Sequence, residues 1–254
     1  MSDNRQPLGW LLPSTVELRA GERIAAHRHD RHQLVYAAAG VLAVTTPVGV
    51  WIAPSQRAVW IPAGTQHAHR AHGPTEMRTL LFPAELTGPS PDNKPVIVAV
   101  SPLLRQLILA LVENPPADRD ELGRLEQVTV DQLRRLPDAP LHLPEPRDDR
   151  LRAIDDLLRQ APGDRCSVAA LGQRVGASER TILRLCRREL GMTMQQWRTQ
   201  MRLVHALELL ADGTPVIVTA HRCGWANASD FIATFAAVIG STPGTYQAQL
   251  RNPG

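Results

Sequence analysis

The feature that constrains this chain most is a pattern found twice between residues 167 and 246. It is a short apolar helix, a glycine turn, and a second helix with its own apolar stripe. In the first copy, SVAALGQRVGASERTILRLCRREL, Val168, Leu171 and Val175 fall on one helical face. Gly176 then supplies the left-handed backbone that a tight turn needs. Ser178 is placed to cap the next helix by accepting a backbone N–H, and Glu179 suits the positive end of its dipole. Ile182, Leu185, Cys186 and Leu190 form the inner stripe of that helix, which leaves Arg180, Thr181, Arg184, Arg187 and Arg188 facing outward.

The second copy is TPVIVTAHRCGWANASDFIATFAAVIGSTPGTY. Val216, Ala220 and Cys223 are its first inner face, and Gly224 is the turn. Ala228-Ser229-Asp230 open the next helix, and Phe231, Phe235 and Ile239 are its stripe. Gly240 stops that helix and Pro243 forbids its continuation. Between the copies, residues 194–211 read as one helix, which at 1.5 Å per residue spans ~27 Å. Two recognition helices on such a spacer can reach successive major-groove turns, ~34 Å apart on one face of a duplex.

Charge agrees with a nucleic-acid partner. The net charge is only +3, but residues 147–254 hold 14 arginines against 10 acidic residues. Arginine on an outer helix face suits phosphates and the paired acceptors of guanine. The bland alternative is a solvated basic face on an ordinary helix pair. Cys166, Cys186 and Cys223 are widely spaced, with no CxxC, and read as small apolar side chains. No apolar run is long enough to span a membrane and the first residues carry no secretory pattern, so a cytoplasmic chain without a membrane partner is expected.

Residues 8–85 are different in kind. Short apolar runs (QLVYAAAG, VLAVTT, VGVWIA, AVWIPAG, MRTLLF) alternate with Gly, Pro and polar turns, the signature of a small β-barrel or sandwich. Residues 101–113 and 118–136 follow as two amphipathic helices, suited to a homodimer interface, a bridge between domains, or a hairpin packed on its own barrel. Residues 137–147, PDAPLHLPEPR, read as a linker. The expected division is a barrel over 1–90, a helical dimerisation or bridging region over 96–138, a linker over 139–147, and a helical domain over 148–254.

At this level of detail the C-terminal half resembles the AraC/XylS family of transcription regulators. The resemblance rests on Arg180–Leu185, Arg187–Met192, Trp197-Arg198, Arg202-Leu203, Gly224-Trp225, Ser229, Phe231, Phe235, Gly240, Thr242-Pro243 and Tyr246. The segment PLHLPEPRD is similar to the subgroup that includes the nitroimidazole-resistance repressor. The resemblance implies an operator-binding regulator, dimeric and acting with RNA polymerase. Its candidate DNA contacts are Ser178, Glu179, Arg180, Thr181, Arg184, Arg187 and Arg188 in the first unit, and Asn227, Ala228 and Ser229 in the second. One departure stands out: where the family usually carries basic residues in the second recognition helix, this chain has Ala233, Ala236 and Ala237. The first unit is therefore expected to supply most of the affinity.

The N-terminal domain resembles the cupins. Gly21, five residues, His27, one, His29, three, Gln33, six, Gly40 follow their first motif, and Pro62, Gly64 and His67 follow their second. Strand alternation puts His27 and His29 on one face, and His67 approaches from a neighbouring strand. The resemblance implies metal ligands at His27, His29 and His67, with Gln33 in place of the usual Glu. Gln56 and Ala71 depart from the second motif's usual Gly and Asn. Such a set suits a divalent transition metal such as Zn, Fe, Ni or Mn, with occupancy falling in acid. A metal-free effector pocket, or no ligand, are the alternatives. His32, His69 and His72 are expected to be exposed or behind the ligands. The fold class expected is thus α+β multidomain: a cupin-like β-barrel with a helical hairpin, then an all-α double helix-turn-helix domain. A metal-dependent cupin enzyme, a dioxygenase or isomerase with an accessory DNA-binding segment, is the competing reading. Among its nearby acids, Glu22, Asp30 and Glu76, nothing singles out a general acid or base.

Overall fold

The computed structural model describes residues 10–54, 57–90, 92–135 and 142–251. Gln56, residue 136 and residues 137–141 of the expected linker lie outside these described residues. The chain divides into two compact units, Met1–Thr46 with Trp51–Pro140, and Pro47–Val50 with Leu141–Gly254. Among the described residues no helix is long and apolar enough to cross a membrane.

The first unit contains strands β1 (Leu12–Leu18), β2 (Arg23–His27), β3 (His32–Thr46), β5 (Arg57–Ile61), β6 (His67–Phe82) and β7 (Val96–Ala99), and β4 (Gly49–Pro54) from Trp51 onward. Strand β6 is the hub and pairs antiparallel with β1, β2 and β3. Strand β3 also pairs with β5, and β5 with β7. The runs QLVYAAAG and VLAVTT, expected as two strands, are one strand, because Gly40 makes a bulge rather than a turn. Its φ is 82°, and the β3–β6 register shifts on either side of Ala39. A Cβ at Gly40 would run into the carbonyl oxygen of Pro74 on the facing strand.

The boundary expected at residue 90 is corrected in two ways. Residues 96–99 form a strand, not the start of a helical region, because β5 offers them an antiparallel edge. The helices α1 (Pro102–Glu113) and α2 (Arg119–Arg135) are not a separate region either: of the three arrangements expected for them, they adopt the hairpin packed on its own barrel. Leu104, Ile108 and Leu111 of α1, and Leu122, Val130 and Leu133 of α2, share one core with Leu34, Tyr36, Trp60 and Phe82 of the sheet. Ser101 caps α1 by accepting the N–H of Leu104. The buried Glu126 carboxylate of α2 accepts the N–H groups of Leu11 at 3.0 Å and Trp10 at 3.4 Å, fastening the entry to β1.

The second unit begins with a short strand, β8 (His142–Pro144), so the expected linker is not without regular structure. Helices α3 (Asp149–Gln160), α4 (Val168–Arg174) and α5 (Glu179–Leu185) follow, with a π-helical turn over Cys186–Leu190. Then come α6 (Met194–Ala211), α7 (Val216–Arg222), α8 (Ala228–Ile239) and α9 (Pro243–Arg251). Thr193 and Gln196 form a reciprocal capping box at the start of α6. Leu151, Ile154, Leu171, Ile182, Leu185 and Trp197 build the core around the first helix pair.

Three arginines join the parts of this unit. Arg202 of α6 donates to the carbonyls of Pro162 at 3.1 Å and Asp164 at 2.9 Å. Arg198, one turn earlier, donates to the Cys166 carbonyl at 2.9 Å. Arg165, in the same loop, donates to the carbonyls of Gly224 and Trp225 at the second glycine turn. Gly224 has φ 81°, and a Cβ there would lie 2.7 Å from the Gly163 carbonyl oxygen. Cys186 and Cys223 are buried, and burial pushes their thiols up to about 11 and about 12, so both behave as small apolar side chains.

Gly40→Ala and Gly224→Ala are each expected to lower the stability of their own unit by ~2 kcal/mol or more, through positive φ and a blocked Cβ. Urea unfolding followed by Trp fluorescence measures this. Wild-type midpoints in both variants would contradict it.

Candidate nucleic-acid interface and metal centre

In the first unit, His27 ends β2 and pairs in register with His67, the first residue of β6. Their ring centroids are 4.3 Å apart. His29 lies just beyond β2, and its ring is 5.1 Å from that of His67. One nitrogen from each of the three comes within 4.8 Å of the others. The Nδ1 atoms face backbone carbonyls: His27 to Ala25 at 2.9 Å, His29 to Arg31 at 2.8 Å, His67 to Thr65 at 2.8 Å. A carbonyl oxygen only accepts, so each Nδ1 carries the proton and each neutral ring presents its lone pair at Nε2.

The Nε2 of His67 is buried and has no hydrogen-bond partner. Burial above all, with the neighbouring His27 and His29, holds its pKa down to about 4, against the Thr65 hydrogen bond that raises it. Gln33, on β3, places its amide 3.3 Å from His29 Nε2. A half-turn of that amide exchanges its oxygen and NH2, so it either donates to the His29 lone pair or offers its oxygen beside it. Three converging lone pairs without a donor between them fit a cation better than they fit one another.

His69 was not marked as an inner residue by sequence reasoning, yet it is buried two positions after His67 on the same strand. The period of two that places His67 inward places His69 inward also. Its ring lies 5.2 Å from that of His67 and 5.8 Å from that of His27, and its Nδ1 has no hydrogen-bond partner. Burial first, and His67 second, hold its pKa down to about 3. Of the two placements expected for His32, His69 and His72, exposed or behind His27, His29 and His67, exposure is ruled out, since all three are buried. His32 has a structural task, with Ala63 N–H donating to its Nδ1 and its Nε2 donating to the Ala84 carbonyl. Of the nearby acids, Glu22 accepts the Arg19 N–H and Glu76 pairs with Arg78.

In the second unit, the two helix pairs superpose in register by simple counting. The first helices and turn glycines are 48 residues apart (Val168/Val216, Gly176/Gly224), and the second helices are 49 apart. Ser178 and Asn227 are the caps, accepting from Thr181 N–H at 3.2 Å and Asp230 N–H at 2.8 Å. Ile182 and Phe231, Cys186 and Phe235, Leu190 and Ile239 are matched buried pairs. Gly191 and Gly240 are matched left-handed stops.

That register settles the outer faces. Arg180, Arg184, Arg187 and Arg188 are all exposed, and with Glu179 and Leu183 they line one shallow groove. Ser178 is exposed and Thr181 half-buried. On α8, Asn227 and Ser229 are exposed and Ala228 is half-buried. Glu189 sits behind the arginine face, accepting the N–H groups of Arg147 at 3.2 Å and Asp148 at 3.0 Å. It thereby ties the N-terminal cap of α3 to the end of the first recognition helix.

Comparison with known proteins agrees with both halves. A cupin domain model matches residues 14–83 and a helix-turn-helix domain model matches residues 171–249. The HTH-type transcriptional regulator NimR of Escherichia coli (strain K12) is 35% identical over 230 residues, spanning 88% of this chain and 82% of the relative. The HTH-type transcriptional regulator RipA of Corynebacterium glutamicum is 32% identical over 112 residues, 44% of this chain and 33% of that protein. The solved structure of ToxT from Vibrio cholerae covers 96% of this chain and 100% of its own, at 9% identity and a TM-score of 0.42. The relatives matched are named regulators, so the enzyme reading gives way. With both domains matched in order and the similarity to NimR sustained along most of both sequences, the chain belongs to the AraC family of DNA-binding transcription regulators with an N-terminal cupin domain.

Proposed function

We propose that this regulator works as a homodimer on operator DNA in the cytoplasm, switched by a divalent transition metal held in its cupin domain. The single observation that carries the metal is the convergence of three imidazoles whose Nδ1 protons are all committed to backbone carbonyls. His27, His29 and His67 would hold the ion through Nε2, with the Gln33 amide beside them; Zn, Fe, Ni and Mn all accept such nitrogen donors. A bound ion would supply a cross-link between the end of β2 and the start of β6. It changes DNA binding only to the extent that its affinity differs between two arrangements of the protein. Support for the dimer comes from the exposed Leu103 of α1 and Val128 of α2, apolar side chains left outside the shared core. RNA polymerase is the partner through which promoter binding acts on transcription.

On the DNA, the first recognition helix is the anchor. Arg180, Arg184, Arg187 and Arg188 reach phosphates and guanine edges, while Ser178 and Thr181 reach phosphates. Glu179 suits the exocyclic amine of cytosine. Asn227, Ala228 and Ser229, at the start of α8, are contacts of the second unit.

Arg184→Ala is expected to weaken binding to a duplex from the promoter region by ~1–3 kcal/mol, and Arg187→Ala to lower the salt slope by about one. Fluorescence anisotropy at several salt concentrations reads both, and unchanged binding by Arg184→Ala would remove the first helix as the base reader. For the metal, elemental analysis is expected to find one ion per chain, lost in His27→Ala and His67→Ala. Chelation should then change operator affinity by ~5–150-fold. A demetallated sample that binds operator as before would eliminate metal as the signal.

A further inference from the structure

We infer that the second recognition helix is a thymine reader: α8 recognises the 5-methyl groups of an A·T-rich half-site through Ile232, Ala233 and Ala237, with almost no electrostatic contribution. This rests on the preceding reading, that the C-terminal unit lays its paired recognition helices on duplex DNA. The register of 49 carries the inference. Helix α8 matches α5 and the π-helical turn that follows it, buried residue for buried residue, between matched caps and stops. Each outward arginine of the first helix therefore has a named counterpart. Arg180, Arg184, Arg187 and Arg188 correspond to Ser229, Ala233, Ala236 and Ala237. Leu183 corresponds to Ile232, and each of these two is 37% exposed.

The chemistry of that face is narrow. Between Arg222 and Arg251 the sequence has no lysine or arginine, and Asp230 is the one charged residue. The Asp230 carboxylate accepts from the Asn227 side-chain amide at 2.9 Å and its backbone N–H is taken by the Asn227 cap. Such a surface releases no counterions and has no fork for guanine. The major groove offers one apolar group, the thymine methyl. Alanine side chains leave the helix backbone free to approach it closely. Apolar side chains against G·C edges would instead desolvate donors and acceptors without replacing their hydrogen bonds, so the same face discriminates against G·C. Ser229, near the N-terminus of α8, remains for a phosphate or an adenine edge.

The test uses the full chain and duplexes that it selects from a randomised library. The half-site whose guanine preference disappears in Arg184→Ala is assigned to the first helix, and the other to α8. Deoxyuridine then replaces thymidine in one half-site at a time, removing only the methyl, and 7-deazaguanine replaces guanine in the same way. Uracil in the α8 half-site is expected to weaken binding about fourfold per thymine contacted, whereas uracil in the other half-site does not. 7-Deazaguanine should show the opposite pattern. Ala233→Arg, an exposed position, should convert a thymine preference into a guanine preference and steepen the salt dependence. If uracil in the α8 half-site has no effect while 7-deazaguanine weakens the first, thymine reading is overturned and the first-helix anchor stands. A footprint confined to one half-site also overturns it, and assigns the apolar face of α8 to a protein partner. Indifference to both base analogues, with Arg184→Ala also binding normally, overturns the DNA reading on which the inference rests.

Discussion

The arrangement of the DNA-binding unit depends on arginines that point inward. Arg202 and Arg198 spend their guanidinium groups on carbonyls of Pro162, Asp164 and Cys166, and Arg165 returns the link to Gly224 and Trp225. A planar guanidinium can hold several carbonyls at fixed angles, which an ammonium cannot. Burial lowers the pKa of Arg202, and the nearby Arg198 and Arg165 lower it further, yet it lies close to the Trp225 ring face and keeps its carbonyl partners. The result is a rigid loop between α3 and α4 that grips both the connecting helix α6 and the turn of the second helix pair. Gly163 and Gly224 are glycines because their backbones meet there, and a side chain on either would strike the other strand of the contact.

With that frame fixed, two helices with matched buried stripes carry opposite chemistry. The first presents four cations and ends in a π-helical turn, where Glu189 anchors the chain entering α3. The second presents methyl groups and one capped acid. A division of labour follows from electrostatics: contacts that release counterions supply affinity and depend on salt, and apolar contacts supply selection and do not. In the cupin domain, the same economy of donors defines the site. His27, His29 and His67 each have one nitrogen fixed by the local backbone, which orients the other.

Much of this was legible in the sequence because it is local. Caps, glycine stops and apolar stripes operate within one or two turns, so Ser178, Asn227, Gly240 and the stripes around Ile182 and Phe231 lie where the pattern put them. His27, His29 and His67 likewise assemble at spacings set by strand geometry. Where reading failed, the cause was non-local. Residues 96–99 are a strand because β5, far back in the chain, had an unpaired edge. Which of its three expected arrangements the helical hairpin takes was likewise set non-locally, by Tyr36, Trp60 and Phe82, which it covers. Gly40 bends a strand instead of ending it because β6 continues opposite.

The sequence by itself determined the two helix-turn-helix units, their recognition faces, and the three histidines. Periodicity and turn chemistry are properties of short windows, and these features need nothing more. Packing across the unit decided which of the remaining arginines are drawn inward. Arg184 and Arg202 look alike in a sequence, but Arg202 meets carbonyls 38 and 40 residues away and Arg184 meets solvent. The tertiary structure also decided that His27, His29 and His67 turn their lone pairs toward one another. Those outcomes depend on which backbone carbonyl each side chain meets, and that is set by packing across the fold.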